Sequence, residues 1–214
     1  MIADDEVLVR TGFRMILQGE DDMEVVGEAE NGEAAVSAAR RLRPDIVLMD
    51  VRMPLMNGLE ATRRVLAADP ACRVIVLTTF DLDEYVYAAV AAGASGFLLK
   101  NVTAEQLAAS IRLIATGEAL LAPSITRRLI ERFAGGHPRP AATHEALASL
   151  SGRELEVLKL MARGLSNAEV AEVLHLGQTT VKSHVGRVLT KLQVRDRVQA
   201  VVIAYQTGVV EPNA

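Results

Sequence analysis

Through about the first 117 residues, short apolar runs alternate with longer segments whose apolar positions recur every three or four residues. Met23 to Ala29, 45–50, 73–79 and 96–100 read as strands. Between them, Glu33 to Arg41, Gly58 to Ala68 and Leu82 to Ala92 read as helices. A last helix starts at a Thr103 cap, with Gln106 at the reciprocal capping position, and runs to Gly117. Ile46, Val47, Leu48 and Met49 form an unbroken apolar run, as a strand buried on both faces requires. Buried strands alternating with helices predict a parallel sheet covered on both sides.

After position 117 the alternation stops. Residues 118–147 hold one helix-like stretch, SITRRLIERF, followed by GGHPRPAATH, whose Gly and Pro among small polar residues predict a linker. From Leu150 onward every segment has helical spacing. Ser151 with Glu154 forms a capping box, and Leu155, Leu158, Met161 and Ala162 make a stripe that Gly164 ends. Ser166 caps the next helix, with Val170, Val173 and Leu174 toward the core. A turn at His175 to Gln178 leads to a third helix striped by Val181, Val185, Val188 and Leu192, which makes a helix-turn-helix arrangement. Two domains follow, 1–117 and 148–214, joined by 118–147.

Composition narrows the chemistry. Aromatic residues make up 3% of the chain and Trp is absent, so the core is aliphatic, which suits helices and parallel strands. A net charge of −4 gives no overall sign of nucleic acid, so any basic surface is local. The single cysteine, Cys72, excludes an internal disulfide and a multi-cysteine metal site. No run approaches a membrane span, and MIADDE has neither the basic start nor the apolar stretch of a signal peptide. A cytoplasmic chain is expected.

Parallel strands gather their carboxyl ends at one edge, where such sheets do their chemistry. That edge collects Asp4 and Asp5, Asp50, Thr78 and Thr79, and Lys100. Converging carboxylates repel, and a divalent cation relieves the repulsion; oxygen-only ligation suits Mg²⁺. Lys100 and Thr78 can hold the oxygens of a phosphoryl group on Asp50. Taken singly, Asp50 and Lys100 could equally form an ordinary ion pair.

The third C-terminal helix carries Thr179, Thr180, Lys182, Ser183, Gly186, Arg187 and Thr190 opposite its apolar stripe. From 179 to 197, Lys182, Arg187, Lys191, Arg195 and Arg197 face Asp196 as the one acid, a net +4. A charged helical face is commonly just solvated, but one sign concentrated behind a turn fits the phosphates and major groove of duplex DNA.

The motifs ADD, DIVLMDVRMP, VLTTFD and GASGFLLK resemble the receiver domain of two-component response regulators. The C-terminal text resembles the LuxR-type helix-turn-helix output domain, and the two together are similar to the NarL/FixJ group. The resemblance implies a doubly wound five-stranded parallel sheet of order 2-1-3-4-5, then an all-α domain. It implies that Asp50 accepts a phosphoryl group from a sensor histidine kinase, with Mg²⁺ held by Asp4, Asp5, Asp50 and the backbone carbonyl of Arg52. Thr78 would turn inward, Lys100 would contact the phosphoryl oxygens, and Phe97 would be the aromatic switch. Arg52 and Phe80 would flank the path of attacking water, and their bulk predicts slow self-dephosphorylation. Asn101 follows the lysine where many receivers carry Pro, so no cis peptide is implied.

The same resemblance makes about 178–193 the recognition helix. Lys182 and Ser183 fall at base-reading positions, while Thr179, Thr180, Arg187 and Lys191 suit phosphates. His184 could meet a phosphate, and packing or a backbone-facing role is favoured over that. Val198, Val201, Val202 and Tyr205 either complete the small core or pair two copies on an operator with two half-sites.

One departure concerns the first strand. Receivers usually place several apolar residues before the acidic pair, and here Met1, Ile2 and Ala3 precede it. Each missing buried aliphatic residue costs about 1.5–3 kcal/mol, against a typical total stability of about 5–15 kcal/mol. The expectation is a shortened first strand, with a native start upstream of Met1 or a weakened receiver. Three rival functions remain. A phosphohydrolase with an aspartyl-phosphate intermediate commonly needs an acid/base Asp where Arg52 stands. A ligand-sensing LuxR-type regulator needs an apolar pocket in place of this charged one. A DNA-binding regulator that ignores phosphorylation is kept open by the short strand.

Overall fold

The computed structural model describes residues 1–79, 83–116 and 147–210, apart from the side chains of 83, 84, 86 and 87. The chain divides into two compact units, Met1–Leu120 and Leu121–Ala214. The expected linker helix SITRRLIERF and the boundary at 117 lie outside the described residues, as does Phe80.

The first unit holds strands β1 (Ile2–Ala3), β2 (Glu28–Ala29), β3 (Ile46–Asp50), β4 (Arg73–Thr78) and β5 (Gly96–Leu99). All pair in parallel in the order β2-β1-β3-β4-β5. Helices α1 (Val7–Gln18), α2 (Gly32–Leu42), α3 (Gly58–Ala68), α4 (Asp83–Ala92) and α5 (Ala104–Ala115) cover it. Successive strand residues point to opposite faces. Ile2, Leu48, Ile75, Leu77 and Leu98 meet Phe13 and Leu17 of α1 and Leu107 and Ile114 of α5. Val47, Met49, Val74, Val76 and Phe97 are buried on the other face, where α3 adjoins β3 and β4 and α4 adjoins β5.

The shortened first strand keeps its place. Ile2 and Ala3 are fully buried, Ile2 N donates to Gly27 O at 3.0 Å, and Leu48 N donates to Met1 O at 2.9 Å. Of the strand expected over 23–29, Glu28 and Ala29 are the residues that pair, because β1 offers a partner over two residues. Met23 and Val25 still pack beside the core. Helix α1 went unread in the sequence. Its core face is Val9, Phe13, Ile16 and Leu17, with Val7, Leu8 and Met15 exposed on the other side.

The second unit contains α6 (Gly152–Ala162), α7 (Asn167–Leu174), α8 (Gln178–Leu192) and α9 (Arg197–Gln206). The expected capping box on Ser151 with Glu154 is present, and the expected Ser166 cap forms a second one with Glu169. The α8 stripe Val181, Val185, Val188 and Leu192 packs on Val157, Leu158 and Met161 of α6 and on Val201 and Tyr205 of α9. Val173 is 54% exposed, contrary to expectation. The buried arc of α7 centres on Val170, Ala171 and Leu174, and residue 173 lies about 100° off that centre at 100° per residue. No helix among the described residues is long and apolar enough to cross a membrane.

Candidate functional site

β3 ends on Asp50, and the chain then turns tightly into α3. Gly58 N donates to Val51 O at 2.9 Å, and a Cβ on Gly58 would lie 1.7 Å from the Asp50 carbonyl oxygen. Any side chain there would displace the backbone of Asp50 itself. The Asn57 side chain caps α3 by accepting from Glu60 N at 2.9 Å. These contacts fix the Asp50 backbone against the start of α3.

The expected cluster assembles. Asp4 is fully buried and Asp50 is 5% exposed, while Asp5 faces solvent. One carboxylate oxygen from each of Asp4, Asp5 and Asp50 lies within 4.8 Å of the others. Lys100, whose side chain is 9% exposed, places Nζ 2.7 Å from Asp4 Oδ2 and 3.2 Å from Asp50 Oδ1. Asp4 Oδ2 therefore has the Lys100 ammonium as its partner, in an ion pair without hydrogen-bond alignment. The Lys100 ammonium also reaches Glu6 Oε1 at 3.5 Å, a contact the sequence did not suggest.

Electrostatics follow from this crowding. Burial lifts the Asp50 carboxyl to about 6; the Lys100 ammonium opposes that and the Asp4 charge adds to it. Burial pulls Lys100 down, but its Asp4 contact and the Asp50 charge outweigh burial and hold the ammonium above its ordinary value. One ammonium thus serves three carboxylates. Three carboxylate oxygens gathered within 4.8 Å, an all-oxygen donor set, fit a hard divalent cation.

Thr78 ends β4, buried at 4% exposure, and its carbonyl accepts from Lys100 N at 2.7 Å. Thr79 is exposed. Phe97, on β5, is 5% exposed. Arg52 is exposed in the loop after β3.

In the second unit the outward face of α8 presents Thr179, Thr180, Lys182, Ser183, Gly186, Arg187 and Thr190, all exposed. His175, in the left-handed conformation at φ 53°, closes α7, and Gly177 opens α8. His184 is half-buried, and its Nδ1 has no partner. Two groups of expected contact residues have partners within their own unit. The Lys191 ammonium, expected at a DNA phosphate, is held within the unit by Glu154 Oε2 at 2.7 Å and Ser149 O at 2.8 Å. Of the expected dimer stripe, Val198, Val201 and Tyr205 are buried in their own unit, and the Tyr205 hydroxyl donates to Ala162 O at 2.7 Å. Val202 is half-buried. The spacing 198, 201, 205 is the core period of α9, which a sequence cannot tell from an interface.

The basic cluster is also thinner than its count. Arg195 pairs with Asp196 at 3.2 Å, and Arg197 donates to Asn167 Oδ1 at 3.2 Å and to the carbonyl of Leu165. These side chains brace the ends of α8 and α9.

Comparison with known proteins covers both units. A family model described as "Response regulator receiver domain" matches residues 1–112, and one described as "Bacterial regulatory proteins, luxR family" matches 148–204. The chain is 41% identical to the "Uncharacterized transcriptional regulatory protein YxjL" of Bacillus subtilis over 210 residues, covering 98% of this chain and 96% of that one. It is 37% identical to the "Response regulator protein VraR" of Staphylococcus aureus, covering 99% and 98%. Among solved structures it resembles the response regulator ChrA of a haem-sensing two-component system, with 36% identity, TM-score 0.51 and coverage of 98% and 97%. It also resembles RcsB of Salmonella typhimurium, with 25% identity, TM-score 0.56 and coverage of 96% and 97%.

Proposed function

Because the chain belongs to the response regulators that join a receiver domain to a luxR-family DNA-binding domain, we propose that Asp50 is its phosphoacceptor and that phosphorylation governs DNA binding by the second unit. The observation that carries this reading is the gathering of Asp4, Asp5 and Asp50 around one pocket with Lys100 Nζ 3.2 Å from Asp50. At pH 7 a group titrating near 6 is mostly carboxylate, the form that attacks phosphorus. An Asp50 oxygen forms the new P–O bond while the P–N bond of a kinase phosphohistidine breaks. The bonding electrons return to the imidazole nitrogen, which then takes a proton from water. Mg²⁺, held by Asp4, Asp5, Asp50 and the Arg52 carbonyl, would supply charge neutralisation for the transferring group. Lys100 then shifts its charge from the carboxylates toward the phosphoryl oxygens, and Thr78 borders them.

The new doubly negative group acts as far as it favours one receiver state over another. The favoured state pairs two copies on an operator with two half-sites. Of the four residues first expected to pair them, Val202 is the one left half-buried. Thr179, Thr180 and Arg187 are assigned to phosphates and Lys182 and Ser183 to base edges, in the cytoplasm and beside a sensor histidine kinase. Segment 118–147 joins the receiver of 1–117 to the DNA-binding domain of 148–214.

Beryllofluoride with Mg²⁺, added to the full chain, tests this. Earlier elution in gel filtration and tighter duplex binding are expected. Unchanged elution and affinity would instead support a DNA-binding regulator that ignores its receiver.

A further inference from the structure

We infer that Glu154 and Lys191 form a clasp, buried on its Glu154 side, that positions the recognition helix, making Lys191 a positioning residue in place of a phosphate contact. The inference rests on the DNA-binding reading above and adds a device within it. Glu154 is 4% exposed, and its Oε2 accepts from Ser151 N at 2.8 Å and from Lys191 Nζ at 2.7 Å. The same ammonium donates to Ser149 O at 2.8 Å. Residues 149–154 lead into and begin α6, whereas Lys191 stands in the last turn of α8. One ammonium therefore ties the entrance of the scaffold helix to the exit of the recognition helix. Withdrawing Lys191 to a DNA phosphate would leave the Glu154 carboxylate buried without its cation, and an unpaired buried charge is strongly disfavoured.

Position matters here because of leverage. Lys182 lies nine residues before Lys191, about 14 Å along the helix axis. A tilt of about 5° at the clasp moves that point by about 1 Å, enough to break a hydrogen bond to a base edge. The apolar stripe of α8 fixes its rotation and depth, because it packs along the whole helix. The clasp adds a directional contact at one end, which apolar packing does not supply.

The ammonium keeps a third N–H, so direct contact and positioning must be separated by experiment. Binding of the full chain to a short duplex of mixed sequence is measured across a salt series. Lys191→Met is expected to weaken binding several-fold at each salt concentration with the log–log salt slope unchanged. Glu154→Gln should weaken it comparably, although Glu154 carries the wrong charge for a phosphate contact. The double variant should be no worse than the weaker single, and Lys191→Arg should recover most of the loss. A slope reduced by about 0.9 in Lys191→Met, the mark of one lost phosphate contact, overturns the inference. So does unchanged affinity in Glu154→Gln. If either variant loses helical circular dichroism, the Lys191 side-chain resonance of the unaltered chain decides. No shift on adding DNA supports the clasp, and a shift overturns it. Failure of the unaltered chain to bind any duplex is seen before variants are compared and sinks the DNA-binding reading along with the clasp.

Discussion

Asp50 and Glu154 are nearly equally hidden from water, at 5% and 4% exposure, and each has a lysine ammonium within 3.2 Å. Their carboxyls are nevertheless displaced in opposite directions, Asp50 up to about 6 and Glu154 down to about 2. The difference lies first in desolvation, which is the largest influence at Asp50 and a minor one at Glu154. At Asp50 the Lys100 ammonium, shared with Asp4 and Glu6, opposes burial without overcoming it, and the Asp4 charge adds to the rise. Glu154 has the Lys191 ammonium and the Ser151 N–H, and these outweigh its burial. One carboxylate is left under-compensated, as a site that gains a cation and a phosphoryl group should be. The other is satisfied, as a fixed structural joint should be.

The largest way to break the contrast is Gly58→Ala. The new Cβ would meet the Asp50 carbonyl oxygen at 1.7 Å, and the obstacle is backbone. A loss above about 4 kcal/mol is expected, with the Asp50 turn displaced. Hydrogen exchange read separately in each unit checks it. Glu154→Gln comes next and should destabilise the second unit by about 1–3 kcal/mol at neutral pH, a loss typical of a charged buried hydrogen bond. Because Glu154 is depressed in the folded chain, its stabilisation is complete above pH 4.5 and fades as pH falls toward 2. The gap between variant and parent should close over that window.

Asp50→Asn should have the opposite sign. A carboxyl raised from 3.8 to about 6 costs the folded state stability as pH climbs through that interval. The variant should therefore stabilise the receiver by about 1–3 kcal/mol at pH 7. Below about pH 4 the two chains should coincide; a constant difference across pH would remove burial as the cause. Smallest of all is Gly186→Ala. Nothing lies within 4 Å of a Cβ there, and the site is an exposed position inside α8. A gain of about 0.5–1 kcal/mol is expected in the unfolding midpoint of the second unit.

The parallel strands, the strand-tip cluster and the helix-turn-helix were legible because each leaves a local mark, whereas the sheet order followed from the family resemblance. Ile46 to Asp50 announces a buried strand with a charged tip, and Ser151 with Glu154 announces a helix start. What stayed hidden depends on contacts between distant positions. Glu154 reads as a cap residue; its union with Lys191, 37 positions away, leaves no trace in spacing. The α9 stripe reads equally well as core or interface until neighbours occupy it, and Val198, Val201 and Tyr205 went to the core. Helix α1 went unread although Val9, Phe13, Ile16 and Leu17 mark its core face at helical spacing.

The central claim is that Asp50 is under-compensated because it is the phosphoacceptor. The most direct test incubates the full chain and Asp50→Asn with radiolabelled acetyl phosphate and Mg²⁺, then maps the label. Stoichiometric, alkali-labile label on the peptide bearing Asp50, absent from the variant and abolished by chelation, is the predicted result. Label that persists in Asp50→Asn, or that never attaches to the parent chain, would contradict it.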